Sequence, residues 1–166
     1  MKKIILALLA VAPLAMAQTQ QPHHLKEDDA RTGSNIRRET AFSSVPFDKS
    51  YADLSDSEKR IVRSVYQQMA ADDEPPYPVK GTAGMFRALQ EVGRKLRLGD
   101  EGVLDMTVMV DASGTGTTVN VYKTPSPELA RAMAGVLILE KYKPALCHGQ
   151  PCAQEFSFVV KIKRRY

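Results

Sequence analysis

The sequence predicts an α+β fold, in which helices cover one face of a small antiparallel sheet of three strands. Apolar residues recur at helical spacing in three segments and alternate with polar residues in three others. The predicted order of elements is helix, helix, strand, strand, helix, strand. Because each predicted strand has one apolar and one mixed face, the sheet is expected to be antiparallel, with the helices on a single side.

The first 17 residues are expected to be a signal peptide and not part of this fold. Lys2 and Lys3 precede an apolar run that closes with the Ala-Met-Ala pattern of a secretory cleavage site. Cleavage is expected after Ala17. An uncleaved membrane anchor is the alternative, but a helix needs about twenty apolar residues to span the hydrocarbon core, and this run is shorter. The mature protein is therefore expected to be exported.

Residues 18–50 are expected to form a flexible polar tail, and residues 51–166 the folded domain. The tail is rich in charged and amide side chains, so it buries too little apolar surface to offset the entropy of ordering. It contains four side chains of metal-binding type, His23, His24, Asp28 and Asp29. An unstructured pair of histidines is more often merely polar, and neither a metal nor another cofactor is predicted.

An extra helix is predicted at the start of the domain, beginning at Asp56. Ser55 and Glu58 form a capping box, in which each side chain satisfies a free main-chain N–H group. Apolar residues then recur on one side as far as Met69. Three prolines within residues 75–78 end this pattern, since proline removes a donor and fixes an extended backbone.

A second helix is predicted over residues 82–96, followed by a hairpin. Residues 104–110 and 119–121 show the alternation of strands, and residues 111–116 form the turn between them. The turn contains two glycines but lacks the third glycine of a nucleotide-binding loop, so a hairpin turn is favoured.

The last helix and the last strand have clear boundary signals. Ser126 is a predicted side-chain cap and Pro127 fits the first turn, while Pro144 cannot continue the helix. The final strand is predicted over residues 155–163, which alternate between apolar and polar side chains. Its apolar positions are Phe156, Phe158, Val160 and Ile162.

Cys147 and Cys152 are predicted to form one disulfide. Export allows the bond, and the turn residues Gly149 and Pro151 bring the two ends together. The alternative is a metal site made of the two cysteines and His148. That set lacks a fourth ligand and the short spacing of common zinc sites.

Composition favours a binding protein over an enzyme or a nucleic-acid partner. The 23 basic and 19 acidic residues give a formal net charge of +4, and loss of the two signal-peptide lysines lowers it to +2. The remaining basic cluster at the C-terminus is typical of a solvated end. Two of the three histidines lie in the tail and one lies in the cysteine turn, which leaves none for an acid–base site in the fold. A catalytic pair of carboxylates is the alternative that the sequence leaves open.

Six short motifs occur in a fixed order between about residues 75 and 163. They are Tyr77-Pro78, Gly102-Val103, Val108-Met109-Val110-Asp111 with Gly114, Tyr142-Lys143-Pro144-Ala145, Gly149-Gln150-Pro151 and Phe156-Ser157-Phe158. Together they resemble the TonB C-terminal domain family. In that family, two helices pack on a three-stranded sheet, and the domain binds outer-membrane transporters in the periplasm. The resemblance implies a periplasmic protein without enzymatic activity, whose last strand pairs with an extended segment of its partner, the TonB box.

The resemblance therefore places partner binding on the last strand. The expected partner is a protein, either an outer-membrane transporter or another envelope protein, and not a nucleic acid or a small molecule. Self-association of the domain is left open. The solvent-facing side chains are expected to tune which partner fits, and they are Glu155, Ser157, Val159, Lys161 and Lys163.

Two departures from the family pattern bear on this function. Energy-transducing members keep a membrane helix and a long proline-rich spacer, where this chain has a cleavable signal and a short polar tail. The segment between Tyr77-Pro78 and Gly102-Val103 is also longer, and the first helix is additional. A membrane-anchored energy transducer, in which the first apolar run stays in the membrane, is the alternative function.

Mass spectrometry of the exported protein is expected to show a mature chain that begins at Gln18, with Cys147 and Cys152 oxidised to each other. The signal peptide and the oxidising compartment are the physical reasons. Free, alkylatable thiols in protein taken from its native compartment would contradict the disulfide. Retention of residues 1–17 would instead favour the anchored alternative.

Overall fold

The computed structural model describes residues 23–24, 42–43, 45–66, 69–96 and 101–163. Within these ranges the fold is mixed α+β, with helices and antiparallel sheets, as the sequence predicts. The expected signal peptide lies outside the described residues. So does the expected tail, except for residues 23–24, 42–43 and 45–50.

Three helices and nine strands are described. Strands β1 (His23–His24) and β2 (Phe42–Ser43) form an antiparallel pair. The others are α1 (Asp56–Arg63), β3 (Tyr77–Pro78), α2 (Ala83–Leu96), β4 (Gly102–Val110), β5 (Gly116–Lys123), α3 (Pro127–Leu139), β6 (Tyr142–Lys143), β7 (Ala145–Cys147), β8 (Gln150–Cys152) and β9 (Gln154–Ile162).

The main sheet has the order β5-β4-β9, with the two longest strands paired along their whole length. β4 and β9 pair antiparallel from Gly102 opposite Ile162 to Val110 opposite Gln154, without a register shift. Alternate side chains of both strands are buried on one face, as the period of two requires. The buried positions are Leu104, Met106, Val108, Val110, Phe156, Phe158, Val160 and Ile162.

Helices α2 and α3 supply the other half of the core. Met85, Phe86 and Leu89 of α2 are buried, and so are Leu129 and three further apolar residues of α3. The Ser126 hydroxyl accepts a hydrogen bond from the Leu129 N–H, so the predicted cap of α3 is confirmed. Helix α3 ends at Leu139, earlier than expected from Pro144. Glu140 is already extended, and Tyr142 and Lys143 pair with β3 as strand β6.

The first helix is shorter than the sequence predicted. The capping box of Ser55 and Glu58 is present, but α1 ends at Arg63 and not near Met69. The Arg63 guanidinium donates to the carbonyl groups of Ala70, at 2.7 Å, and Asp73. These long-range bonds hold the chain in a turn, so the helical spacing of the apolar residues does not continue as a helix.

The folded core begins before residue 51, where the sequence placed its start. Val45 and Phe47 are buried, and the Phe47 ring lies 4.4 Å from that of Phe86. The Phe47 carbonyl accepts a 2.8 Å bond from the Ala83 N–H. The same carbonyl oxygen lies so close to Gly81, which has a φ of 72°, that a Cβ on residue 81 would collide with it. Residues 18–50 are polar on average, so their composition did not reveal that the short apolar segment at their end belongs to the core.

Replacing Phe47 by alanine is expected to lower the free energy of unfolding by about 3–5 kcal/mol, because the substitution empties a buried aromatic site. Denaturant unfolding measures the loss. The matched control is Leu139→Ala, at a side chain that is 80% exposed, for which a change of about 0.5 kcal/mol or less is expected. Equal stability of the two variants would show that the segment before residue 51 is not part of the core.

Candidate functional site

The strand β9 lies at an edge of the main sheet. Among the described residues no other strand pairs with its outer side, since the sheet order ends at β9. An edge strand presents main-chain N–H and C=O groups that a further strand can use. The candidate site is therefore the outer side of β9, and its geometry depends on which residues point outward.

The direction of these groups follows from a side-chain contact. The Tyr66 hydroxyl donates a 3.0 Å hydrogen bond to the Glu155 carbonyl from outside the sheet. In an antiparallel sheet the N–H and C=O of one residue point to the same side, and successive residues alternate. The outward-pointing groups of β9 thus belong to Glu155, Ser157, Val159 and Lys161. On β4, the Met109 carbonyl accepts a bond from Thr117 of β5, as this alternation requires.

The five residues predicted to tune partner binding lie along this edge, but they differ in their environments. The Glu155 carboxylate is half-buried and accepts bonds from the Thr107 hydroxyl at 3.2 Å and the Asn120 amide at 3.1 Å. It thus links three strands across the solvent-facing side of the sheet. Ser157 is also half-buried. By contrast, Val159 is 57% exposed, and Lys161 and Lys163 are exposed.

Tyr66 is the residue at this edge that the sequence reasoning missed. The helical spacing that runs to Met69 includes Tyr66 and predicts that its ring faces the core from a helix, whereas the structure places its hydroxyl on β9. Burial raises the pKa of Tyr66, and a main-chain hydrogen bond from Ser157 acts in the opposite direction. The hydroxyl therefore contacts main-chain groups of both Glu155 and Ser157. No local pattern identifies such a contact, because its partners are 89 residues apart.

The core side of β9 is held by aromatic rings. The Phe156 ring lies 6.3 Å from that of Tyr77 and 5.5 Å from that of Tyr142, and the Phe158 ring lies 5.4 Å from that of Phe86. Burial raises the pKa of Tyr77 to about 12. These contacts fix the strand from beneath, so its outward groups are presented in one orientation.

The opposite edge of the sheet, on β5, is less suited to pairing. Its register with β4 shifts twice, between Asp105 and Met106 and between Met109 and Val110. Such irregularities bend an edge and interrupt its hydrogen-bonding pattern. The carbonyl of Gly114, just before β5, also accepts a 3.0 Å bond from the Tyr142 N–H. The regular edge of β9 is therefore better suited than the edge of β5 to pair with a further strand.

The two cysteines lie in a hairpin beside this region. Strands β7 and β8 pair, and the sulfur atoms of Cys147 and Cys152 are at bonding distance, 1.96 Å, as predicted. The hairpin is joined to the chain before β3 by two main-chain bonds between Glu74 and Leu146, of 2.9 and 2.8 Å. Since both sulfurs form the disulfide, the alternative metal set with His148 has no thiolates to offer.

A different group of metal-binding type lies at the tip of this hairpin. Asp72, Asp73 and His148 bring their ligand atoms within 4.8 Å of one another. One Asp73 oxygen accepts the His148 N–H at 2.8 Å, and the other accepts the Ala70 N–H at 3.1 Å. The carboxylate thus already ties the hairpin to the chain that leads from Tyr66, and we assign the group this linking role.

Other surfaces carry less chemical information. A groove of about 520 Å³ lies between the residues that follow β3 and the end of α3, lined by Val79, Leu139 and neighbouring charged residues. In the ranges that the structure describes, none of the helices is long and apolar enough to cross a membrane.

Comparison of the chain with protein-family models, with curated proteins and with solved structures finds no match.

The Asp73→Asn variant is expected to lose stability at about pH 6 but not in strong acid. Hydrogen bonds from the His148 and Ala70 main chain hold the pKa of Asp73 below its ordinary value of 3.8. A carboxylate with a lowered pKa stabilises the fold above the ordinary value, and this contribution is lost as the pH falls through the folded-state pKa. Unfolding curves of both proteins, recorded from about pH 6 to pH 2, measure the difference.

The neighbouring Asp72→Asn substitution is the control, because it removes a charge next to His148 but neither of these main-chain bonds. A stability difference between wild type and Asp73→Asn that stays constant down to the lowest pH would contradict the assignment.

Proposed function

We propose that the protein is an exported interaction module, built like the TonB C-terminal domain family, that binds an extended protein segment by strand addition to β9. The observation that carries the proposal is the regular outer edge of β9, on which Val159 and Lys161 present main-chain groups to solvent. A bound segment pairs with these groups, and the neighbouring side chains select among segments.

The energetics of such an edge suit a reversible interaction. Each main-chain hydrogen bond adds roughly 0.5–1.5 kcal/mol net, so affinity rises with the number of residues that pair. Because Phe156 and Phe158 are already packed in the core, β9 loses little conformational entropy when a segment binds. Most of the ordering cost falls on the incoming segment, which keeps the affinity moderate.

The partner class comes from the motif resemblance and the predicted export. An outer-membrane transporter or another envelope protein, reached from the periplasm, is the proposed partner. Lys161 and Lys163 leave the exposed end of the edge basic. The protein has no catalytic step in this proposal, and the disulfide hairpin contributes to the frame of the site.

Substituting Val159 by proline is expected to weaken partner binding at least tenfold, because proline removes the outward N–H group without touching a bond to β4. The first measurement is a pull-down from outer-membrane extracts, followed by calorimetric titration of the segment recovered. Circular dichroism checks that the variant keeps its fold.

The matched control is Val159→Thr, which keeps the N–H group and the branched side chain. It is expected to bind within about threefold of the wild type, since the affinity comes from the main chain. If folded Val159→Pro binds as well as Val159→Thr, the binding surface is not the edge of β9.

A further inference from the structure

The edge of β9 is divided into two halves by a contact within the chain. At its start, the Tyr66 hydroxyl contacts the Glu155 carbonyl and receives a bond from the Ser157 main chain. These are the groups that an added strand would use there. Further along, Val159 is more than half exposed and Lys161 is exposed. An added strand thus meets a free half and an occupied half.

The position of Tyr66 is fixed by the segment that carries it. Arg63, before it, donates to the carbonyl groups of Ala70 and Asp73, which follow it in the chain. The loop is tied in turn to the disulfide hairpin, through the Asp73 carboxylate and the His148 N–H. Glu74 continues this attachment by pairing with Leu146. The residues on either side of Tyr66 are therefore tied to each other and to the disulfide hairpin.

We propose that Tyr66 is the residue that limits the length and register of the bound segment, by confining strand addition to residues 159–163. The inference rests on the proposed function, since it concerns the same edge. A segment that also pairs with Ser157 and Glu155 has to displace the Tyr66 hydroxyl. The loss of the Tyr66 hydrogen bonds then offsets part of the free energy gained from the new main-chain bonds. Partners with a short extended segment are favoured over those with a long one.

A tethered strand tests this without knowledge of the natural partner. Residues 164–166 are replaced by Asn-Gly, which favours a two-residue hairpin turn, followed by alternating threonine and valine. Lys163 points outward in the alternation and fits the position that flanks such a turn. A five-residue strand then ends opposite Val159, and a nine-residue strand ends opposite Glu155. The tether supplies a high effective concentration.

The measurement is amide hydrogen exchange, followed by NMR, of the added residues in the full chain. Amides are counted from the first residue after Asn-Gly. With wild-type Tyr66, the fifth amide of the added strand is expected to be protected in both the five-residue and the nine-residue protein, because it bonds to the Val159 carbonyl. The ninth amide, which needs the Glu155 carbonyl, is expected to exchange freely. In Tyr66→Ala its protection is expected to rise about tenfold or more.

Two variants keep the result interpretable. Tyr66→Phe retains the packed ring and removes only the hydroxyl, so a rise of about three- to tenfold, the worth of one hydrogen bond, is expected even if Tyr66→Ala is unstable. Tyr122→Ala, at a tyrosine of β5 that is 60% exposed, is the control and should leave the ninth amide unchanged.

The possible failures separate the two proposals. Protection of the ninth amide in the wild type, equal to that in the Tyr66 variants, overturns the role of Tyr66 and leaves strand addition intact. A fifth amide that stays unprotected in every variant shows that the edge does not accept a strand. That result overturns both the proposed function and the inference that rests on it.

Discussion

The pairing of β4 with strands on both of its sides is the constraint on which the rest of the structure depends. Because the central strand uses its main-chain groups in both directions, the unpaired groups of the sheet fall on β5 and β9. The aromatic contacts of Phe156 and Phe158 then fix β9 from the core side. A strand held in this way cannot turn its outward groups aside, so its outer edge keeps one orientation relative to the core.

The outer edges of β5 and β9 are protected in different ways. Open edges invite unwanted pairing, and proteins protect them with bulges, charges or covering segments. On β5 the protection comes from two register shifts and from the bond between Gly114 and Tyr142. On β9 the covering group is Tyr66, which reaches only the first part of the strand. Among the described residues, the rest of the strand is a short stretch of regular edge that includes the basic Lys161, and strand addition is proposed there.

The segments outside the main sheet connect this edge to the disulfide. The loop closed by Cys147 and Cys152 is small, so its entropic effect lies at or below the low end of about 2–4 kcal/mol. Its larger consequence is local, because the hairpin it rigidifies holds Asp73 and Glu74 in place. Tyr66 lies between α1 and these anchored residues in the chain. Helix α1 itself packs the partly buried Ile61 and Val62 against the core, and Tyr66 follows it along the chain.

Several elements have local causes and could be predicted from the sequence alone. The capping box at Ser55, the cap at Ser126 and the alternation along β4 and β9 act within a few residues, and the α+β class and the order of the three helices and three long strands followed from them. The short strands β1, β2, β3, β6, β7 and β8 were not predicted. Only the tertiary structure decided that the core includes Phe47, that α1 ends at Arg63, and that Tyr66 contacts β9. Each of these depends on a partner far along the chain, with which a neighbouring sequence pattern has no relation. Spacing predicts which face of a strand is buried, but which edge stays open is fixed by how distant segments pack against it.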